Sequence, residues 1–386
     1  MVRLHSPILD RLADLTRQIV DDTVLPHAEQ VDRDGCWPEQ SMRAFAAAGL
    51  LGLQVPGILG GHGQGLHALC HLTSLIGQAC PSSALCFGMH CVGTAVIAAK
   101  ATEHQRDRYL REIAAGRHIT TLALSESGTG AHFYLPETTM TAQGDRYLLN
   151  GTKQFVTNGG RADSYVVSTV ASGGAAEGDF SCMIVDAGTP GLTWMAPWHG
   201  FGMRGNSSRG LHLTDAPVPV ANLLGTEGDQ VWYVFEVVAP YFLMAMAGTY
   251  LGIAQAAVDL AGEHLRNRRH SHTGATLGEL ETMQTRYAAM WVALHKTRAL
   301  VLEAAQRGDA GDPEALPFIL ACKADAGETA VALANEAMTI CGGAAYRDNS
   351  RVAQLLRDAR ASHVMSPTTD MLRIWTGRAL LGMPLL

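Results

Sequence analysis

Apolar residues recur at helical spacing through the first part of the chain. Leu12, Leu15, Ile19 and Val20 fall on one face and charged residues on the other, the stripe of a helix packed on a core. Pro38 can open a helix running to Leu50, because the N–H that proline lacks is unpaired in a first turn anyway. Residues 83–100 and 103–115 predict two more helices. The period changes near Ile119. ITTLALS, RYLLNG, SYVVSTV, CMIVD and GLHLTD are short, β-rich and separated by glycine and turn residues. They predict an antiparallel β domain over about 119–225. From about residue 228 the helical period returns, broken once at Gly342 and Gly343. The pattern predicts an α+β protein in three parts: an N-terminal helical domain (1–118), a central β domain (119–227) and a C-terminal bundle of four-helix type (228–386).

Val237 to Val258 is a run of 22 residues without a charge, long enough to cross a bilayer. It contains Pro240, Thr249, Gln255 and two tyrosines, and Glu236 and Asp259 flank it. It therefore reads as a buried central helix. The N-terminus carries charges inside its apolar stretch and has no signal-peptide layout.

Composition narrows the classes. Apolar residues make up 47% and charged residues 17% of the 386, which excludes a disordered chain. The net charge is −7, so no overall basic field exists to hold nucleic acid. The eight cysteines form no CxxC pair, which argues against a zinc site or disulfide framework and for a reducing cytoplasm. No metal is expected: the 16 histidines include no HExxH, and His270 with His272 reads as a surface pair. No GxSxG nucleophile motif is present. The glycine-rich run at 57–65 lacks the preceding strand of a dinucleotide fingerprint.

Three polar, glycine-rich stretches remain. They are Ser125-Glu126-Ser127-Gly128-Thr129-Gly130, then Asn150 to Gly160 (NGTKQFVTNGG), then Cys341-Gly342-Gly343-Ala344-Ala345-Tyr346 followed by Leu356-Arg357-Asp358-Ala359-Arg360. Singly, each reads as a turn or a helix cap. Hydroxyls and backbone N–H groups beside glycines are also what a flavin and its pyrophosphate need. In this order, with LCFGMHCVGTAVI, EHQRDRYLREIAAGRH and GFGMRGNSSRGLHLTDAPVPVANLLG, they resemble the acyl-CoA dehydrogenase family over nearly the whole chain.

The resemblance implies a helical–β–helical fold, noncovalent FAD, and a homotetramer built from dimers, or a homodimer. It places the Ser125 hydroxyl on the flavin ring, Phe155 as its aromatic cover, and Thr157 near the flavin N5 with Asn158 retained beside it. For Phe155, ordinary core packing is the alternative. Gly342 and Gly343 match a loop that reaches FAD from the partner subunit. Gln284 aligns with a family glutamine, Arg268 or Arg269 stands in for a pyrophosphate-contacting arginine, and Thr368 is a further cofactor candidate. Thr339 departs from the family's glutamine ahead of Gly-Gly.

The larger departure is at the chemistry. Desaturating a thioester takes a base for the α-proton and a hydride acceptor across the same C–C bond. The family's glutamate falls nine residues after the Arg-Asp-Ala arginine, which here is Ser366. An alternative family position on the central helix is Phe242. Neither is a carboxylate, and a lone serine hydroxyl is far too weak a base. The family's Ser-Asp in the substrate-access region is Ala131-His132, an arginine near the thioester is Leu243, and Pro367 follows the base position. The Ser366 N–H stays available to polarise a carbonyl. Asp370, one helical turn past Ser366, Glu236 and His90 are candidate replacements for the base.

These readings predict an FAD-dependent oxidoreductase acting on an acyl thioester, on CoA or an acyl carrier protein, or on a related small molecule of specialised metabolism. An electron-transfer flavoprotein or a flavin reductase would be its redox partner. A flavin-dependent monooxygenase on the same fold, which needs no α-proton base, is the alternative. A noncatalytic binding protein is the third reading.

Overall fold

The computed structural model describes residues 6–174 and 176–385; residues 1–5, with which the predicted helical domain begins, lie outside the described residues. The first helix, α1 (Pro7–Ile19), is capped by Ser6, whose Oγ accepts from the Leu9 N–H at 3.4 Å. It runs through a wider turn into α2 (Leu25–Asp34). Then come α3 (Glu39–Ala47), α4 (Leu66–Ala79) and α5 (Pro81–Ala99). Short helices α6 (Glu103–Gln105) and α7 (Arg111–Ala114) close the helical part. The sequence periodicity had not resolved α4 as a separate element.

Among the described residues seven strands follow: β1 (Thr120–Ala123), β2 (Thr139–Gln143), β3 (Arg146–Val156), β4 (Ser164–Ala171), β5 (Phe180–Asp186), β6 (Leu192–Trp194) and β7 (Arg209–Pro219). They form one sheet in the order β1-β4-β2-β3-β7-β6, with β5 on β4. Most pairings are antiparallel, but β1 and β2 each run parallel to β4. Parallel neighbours need a crossover connection, and the 124–138 crossover between β1 and β2 carries the Ser125–Gly130 stretch. The Asn150–Val156 stretch, which reads singly as a turn, is strand.

The C-terminal part comprises α8 (Gln230–Tyr233), α9 (Ala239–Asn267), α10 (Glu281–Asp309), α11 (Ala315–Cys341), α12 (Arg351–Val364) and α13 (Thr369–Leu380). The uncharged run lies in α9 and the turn before it. That helix and α5 are long and apolar enough to span a membrane, yet 89% of each apolar window is buried inside the protein. α9 packs on α4, α5 and α11. A Cβ at Gly252 would lie 2.4 Å from the Ser74 carbonyl oxygen, so glycine here lets α4 and α9 meet backbone to backbone. The sheet keeps its own apolar cluster, around Leu149, Tyr165 and Leu211, distinct from the helical core.

Candidate active site

A cavity of about 520 Å³ opens between the sheet and the helices. Ser125, Phe155, Thr157, Trp198 and Ser208 line it from the β side, and Met89, Phe242, Ser366 and Thr368 from the helical side.

The floor is set by a buried ion pair. Lys153 on β3 is fully buried. Its Nζ donates to Glu126 Oε1 at 2.5 Å, to Ser168 O at 2.6 Å and to Ser168 Oγ at 3.0 Å. Glu126 also accepts from the Thr138 N–H, the Thr138 hydroxyl and the Glu137 N–H. Burial pushes the Glu126 carboxyl up, but the Lys153 charge and these hydrogen bonds outweigh it and hold it below its ordinary value. Burial lowers Lys153 to about 8 against the pull of Glu126. Among the described lining residues Glu126 is the sole carboxylate, and both its oxygens are occupied. It anchors the 124–127 rim: three of its four hydrogen bonds converge on Oε1, and Oε2 accepts one, from the Glu137 N–H.

Phe155 sits where the β3–β7 register shifts, between Lys153 and Val156. Its φ is 54°, and 65% of it is exposed. The core-packing alternative therefore fails: the bulge turns the ring out of the sheet, as such irregularities do. Phe155 meets Trp198 edge-on with ring centroids 6.2 Å apart. Trp198 Nε1 is buried without a hydrogen-bond partner.

Thr157 and Asn158 diverge. The Thr157 hydroxyl lies in the cavity, 3.2 Å from Ser208 Oγ. Asn158 does not line it. Its Oδ1 accepts from Trp37 Nε1 at 2.8 Å and its Nδ2 donates to Cys86 O at 3.0 Å, so it ties β3 to the helices.

Ser366 and Thr368 lie in the turn between α12 and α13, and the Thr368 hydroxyl caps α13 by accepting from the Met371 N–H. The preceding Arg-Asp pair holds α12 in place. Arg357 clamps both oxygens of Asp32 on α2, at 3.0 and 2.5 Å. Asp358 accepts the Met203 N–H at 2.6 Å, and burial pushes its carboxyl up to about 6 despite that bond.

Other candidates separate from the cavity. His90 is fully buried in α5 and does not line it. Its Nδ1 accepts from the Thr120 N–H at 3.1 Å, so Nε2 carries the proton and donates to Leu51 O at 3.0 Å. Burial lowers it to about 4. A neutral imidazole with both nitrogens spent cannot collect a substrate proton, and the catalytic expectation for His90 is corrected to a structural one. Asp370 is exposed in the first turn of α13 and does not line the cavity. An acid there complements the helix dipole, and its expected approach to the chemistry is not found. Ala131 and Phe242 line the cavity, whereas Leu243 is fully buried outside the lining. Arg268, Arg269 and Gln284 lie beyond the C-terminal end of α9, where Arg269 donates to Gly274 O and Gln284 to Gly278 O. Gly342 and Gly343 line a separate depression with Thr339 and Tyr346. Sequence reasoning gave no role to Lys153, Trp198 or Ser208, although Lys153 and Ser208 lie inside the NGTKQFVTNGG and GFGMRGNSSRG stretches.

Comparison with known proteins agrees with the helical–β–helical fold. Residues 7–117, 121–216 and 240–381 match the N-terminal, middle and C-terminal domain models of acyl-CoA dehydrogenases. The chain belongs to the acyl-CoA dehydrogenase family and is an FAD-dependent oxidoreductase of that class. It is 30% identical to cyclohex-1-ene-1-carbonyl-CoA dehydrogenase of Geobacter metallireducens, over 95% of this chain and 96% of that one. It is 29% identical to acryloyl-CoA reductase (NADH) of Anaerotignum propionicum, over 96% of this chain and 94% of that one. The structure of butyryl-CoA dehydrogenase from Megasphaera elsdenii superposes with a TM-score of 0.93 at 25% identity, covering 99% of this chain and 100% of that one.

Proposed function

We propose that the cavity binds FAD and oxidises an acyl thioester, carried on CoA or on an acyl carrier protein, in cytoplasmic specialised metabolism. The observation that carries this reading is that Ser125, Phe155 and Thr157 meet Ser366 across one cavity. The residues present fit a flavin: two aromatic rings at the rim, an orphaned Trp198 N–H, and the hydroxyls of Ser125, Thr157 and Ser208. A bound flavin supplies a hydride acceptor, or, once reduced, a reaction partner for dioxygen. Ser125 and Thr157 would hold its polar edge, with Phe155 and Trp198 covering it. Leu85, Met89, Val238 and Phe242 form an apolar wall for the acyl chain. The Ser366 N–H is the donor offered to the thioester carbonyl, and Ser366 supplies no carboxylate for the α-proton. An electron-transfer flavoprotein or a flavin reductase would complete the cycle, in a homotetramer or homodimer.

The lack of a carboxylate at Ser366 and at Phe242, both in the cavity lining, favours a second reading, a monooxygenase, since hydroxylation needs no α-proton base. The experiment is FAD uptake followed by anaerobic addition of acyl thioesters. Loss of the flavin's visible absorption supports thioester oxidation. Bleaching by none of them, with oxygen incorporated in air, supports the second reading. A chain that takes up no FAD overturns both.

A further inference from the structure

A second buried lysine stands behind the cavity, and nothing in the reading above uses it. Lys323 of α11 is fully buried. Its Nζ donates to Ser362 O at 3.0 Å, Met365 O at 2.7 Å and Pro367 O at 2.7 Å. Three ammonium protons meet three carbonyls. Ser362 and Met365 belong to the C-terminal end of α12, where unpaired carbonyls and the negative end of the helix dipole favour a cation. Pro367 immediately precedes Thr368, the cap of α13. Met365 and Pro367 flank Ser366, and all three line the cavity.

We propose that Lys323 is the positioning residue of this site, its ammonium group fastening the α12–α13 turn so that Ser366 is presented to the cavity. This rests on the reading of the cavity as the place of thioester oxidation.

The packing is specific to this contact. One turn further along α11, a Cβ at Gly327 would lie 2.5 Å from the Ser362 Cβ. Glycine there lets α12 approach until the Ser362 carbonyl reaches Lys323. The charges nearby are committed elsewhere. On α11, Glu328 pairs with Arg373 of α13, and Asp325 accepts from Thr297 of α10 at 2.6 Å. From α12 come His363, which burial lowers, and Arg360. α9 contributes Met244, 3.4 Å from the Cys322 sulfur, and burial holds that thiol well above its ordinary value. Burial lowers Lys323 to about 7, opposed by Cys322. Lys153, by contrast, has Glu126 as counter-ion.

The two protonation states differ in what they can hold. The ammonium satisfies all three carbonyls. The neutral amine has two N–H donors and a lone pair, so one carbonyl loses its partner and the turn loosens. Presentation of Ser366 therefore weakens as pH rises through about 7. Stability moves oppositely: the unfolded lysine stays protonated up to about 10.5, so folding gains as pH rises from about 7 toward that value. A residue that merely supports the fold does not separate activity from stability in this way.

The test uses the full-length, flavin-loaded protein and K323M. The first readout is hydrogen exchange of residues 362–368 between about pH 6 and about pH 9, corrected for intrinsic rates. The expected result is that protection of the Met365 N–H, which donates to Ala361 O at 2.9 Å, is lost on raising pH in the wild type and is absent at every pH in K323M. The second readout is turnover per bound flavin of the folded protein with a saturated acyl-CoA, expected to fall about tenfold in K323M, alongside a midpoint lowered by the unpaired carbonyls. Equal, pH-independent protection in both proteins overturns the proposal, as does a lowered midpoint with unchanged turnover. Should K323M fail to fold, the wild-type exchange profile alone decides. Should no thioester react, the reading of the function fails, and the exchange arm still decides the role of Lys323.

Discussion

Lys153 Nζ lies 2.5 Å from Glu126 Oε1, and this contact holds the Glu126 carboxylate at the cavity wall in its charged form. Removing one partner of such a pair leaves the other charge buried and alone. Glu126→Gln should therefore destabilise the protein by about 3 kcal/mol, measured by denaturant unfolding. The pH dependence has a definite sign. Glu126 titrates below its ordinary 4.5 in the folded chain, so its stabilisation is present above that value and lost as pH falls through the folded one. Glu126→Gln should flatten the acid limb of the stability curve.

Ser366→Glu should raise desaturation of simple acyl-CoAs by at least about a hundredfold, the lower range for a positioned general base. Steady-state assays with an artificial electron acceptor measure it. Unchanged turnover would place the limitation in the shape of the cavity, with Phe242 the nearest suspect.

Phe155→Ala should cost about 0.5 kcal/mol or less, because the ring is mostly exposed. It should nonetheless weaken FAD retention, by about tenfold or more if the ring covers the flavin, as aromatic contacts of about 1.5 kcal/mol imply. Thermal unfolding and flavin release on dilution separate the two effects.

His90 should act on stability and not on the pH–rate profile. Its folded value, about 4, lies below the ordinary 6.5, so the unfolded chain binds the extra proton between them. Stability is full above about 6.5 and declines as pH falls toward about 4, by on the order of 3 kcal/mol. In His90→Gln this contribution to the slope should be lost, leaving the part that His71, lowered by burial to about 4 as well, supplies, while turnover between neutral and alkaline pH keeps the shape of the wild-type profile.

The gross architecture was legible because it rests on periodicity. The uncharged run 237–258 could only be a span or a core helix, and its internal proline and flanking acids decided for the core. The strands were legible as short β-rich segments, but their order was not, since the parallel β1–β4 pairing depends on a crossover that no alternation pattern records. At the site, Ser125, Phe155 and Ser366 were reached through what the family resemblance implies. Lys153 and Glu126 were not, because a buried lysine in a strand looks like a solvated one until its partner is known. His90 misled for a related reason: Leu51 and Thr120, which spend its nitrogens, lie 39 and 30 positions away. Asp370 misled because the helix it belongs to starts only at Thr369, so no helical turn joins it to Ser366, and its side chain is exposed.

The central claim is that this cavity removes two hydrogens from an acyl thioester with no carboxylate at Ser366 or Phe242. The most direct measurement is the product mass from a single anaerobic turnover with FAD-loaded protein. The account predicts a thioester lighter by two hydrogens, one per flavin consumed, with no need for air. A product that has gained an oxygen atom and forms only in air would contradict it.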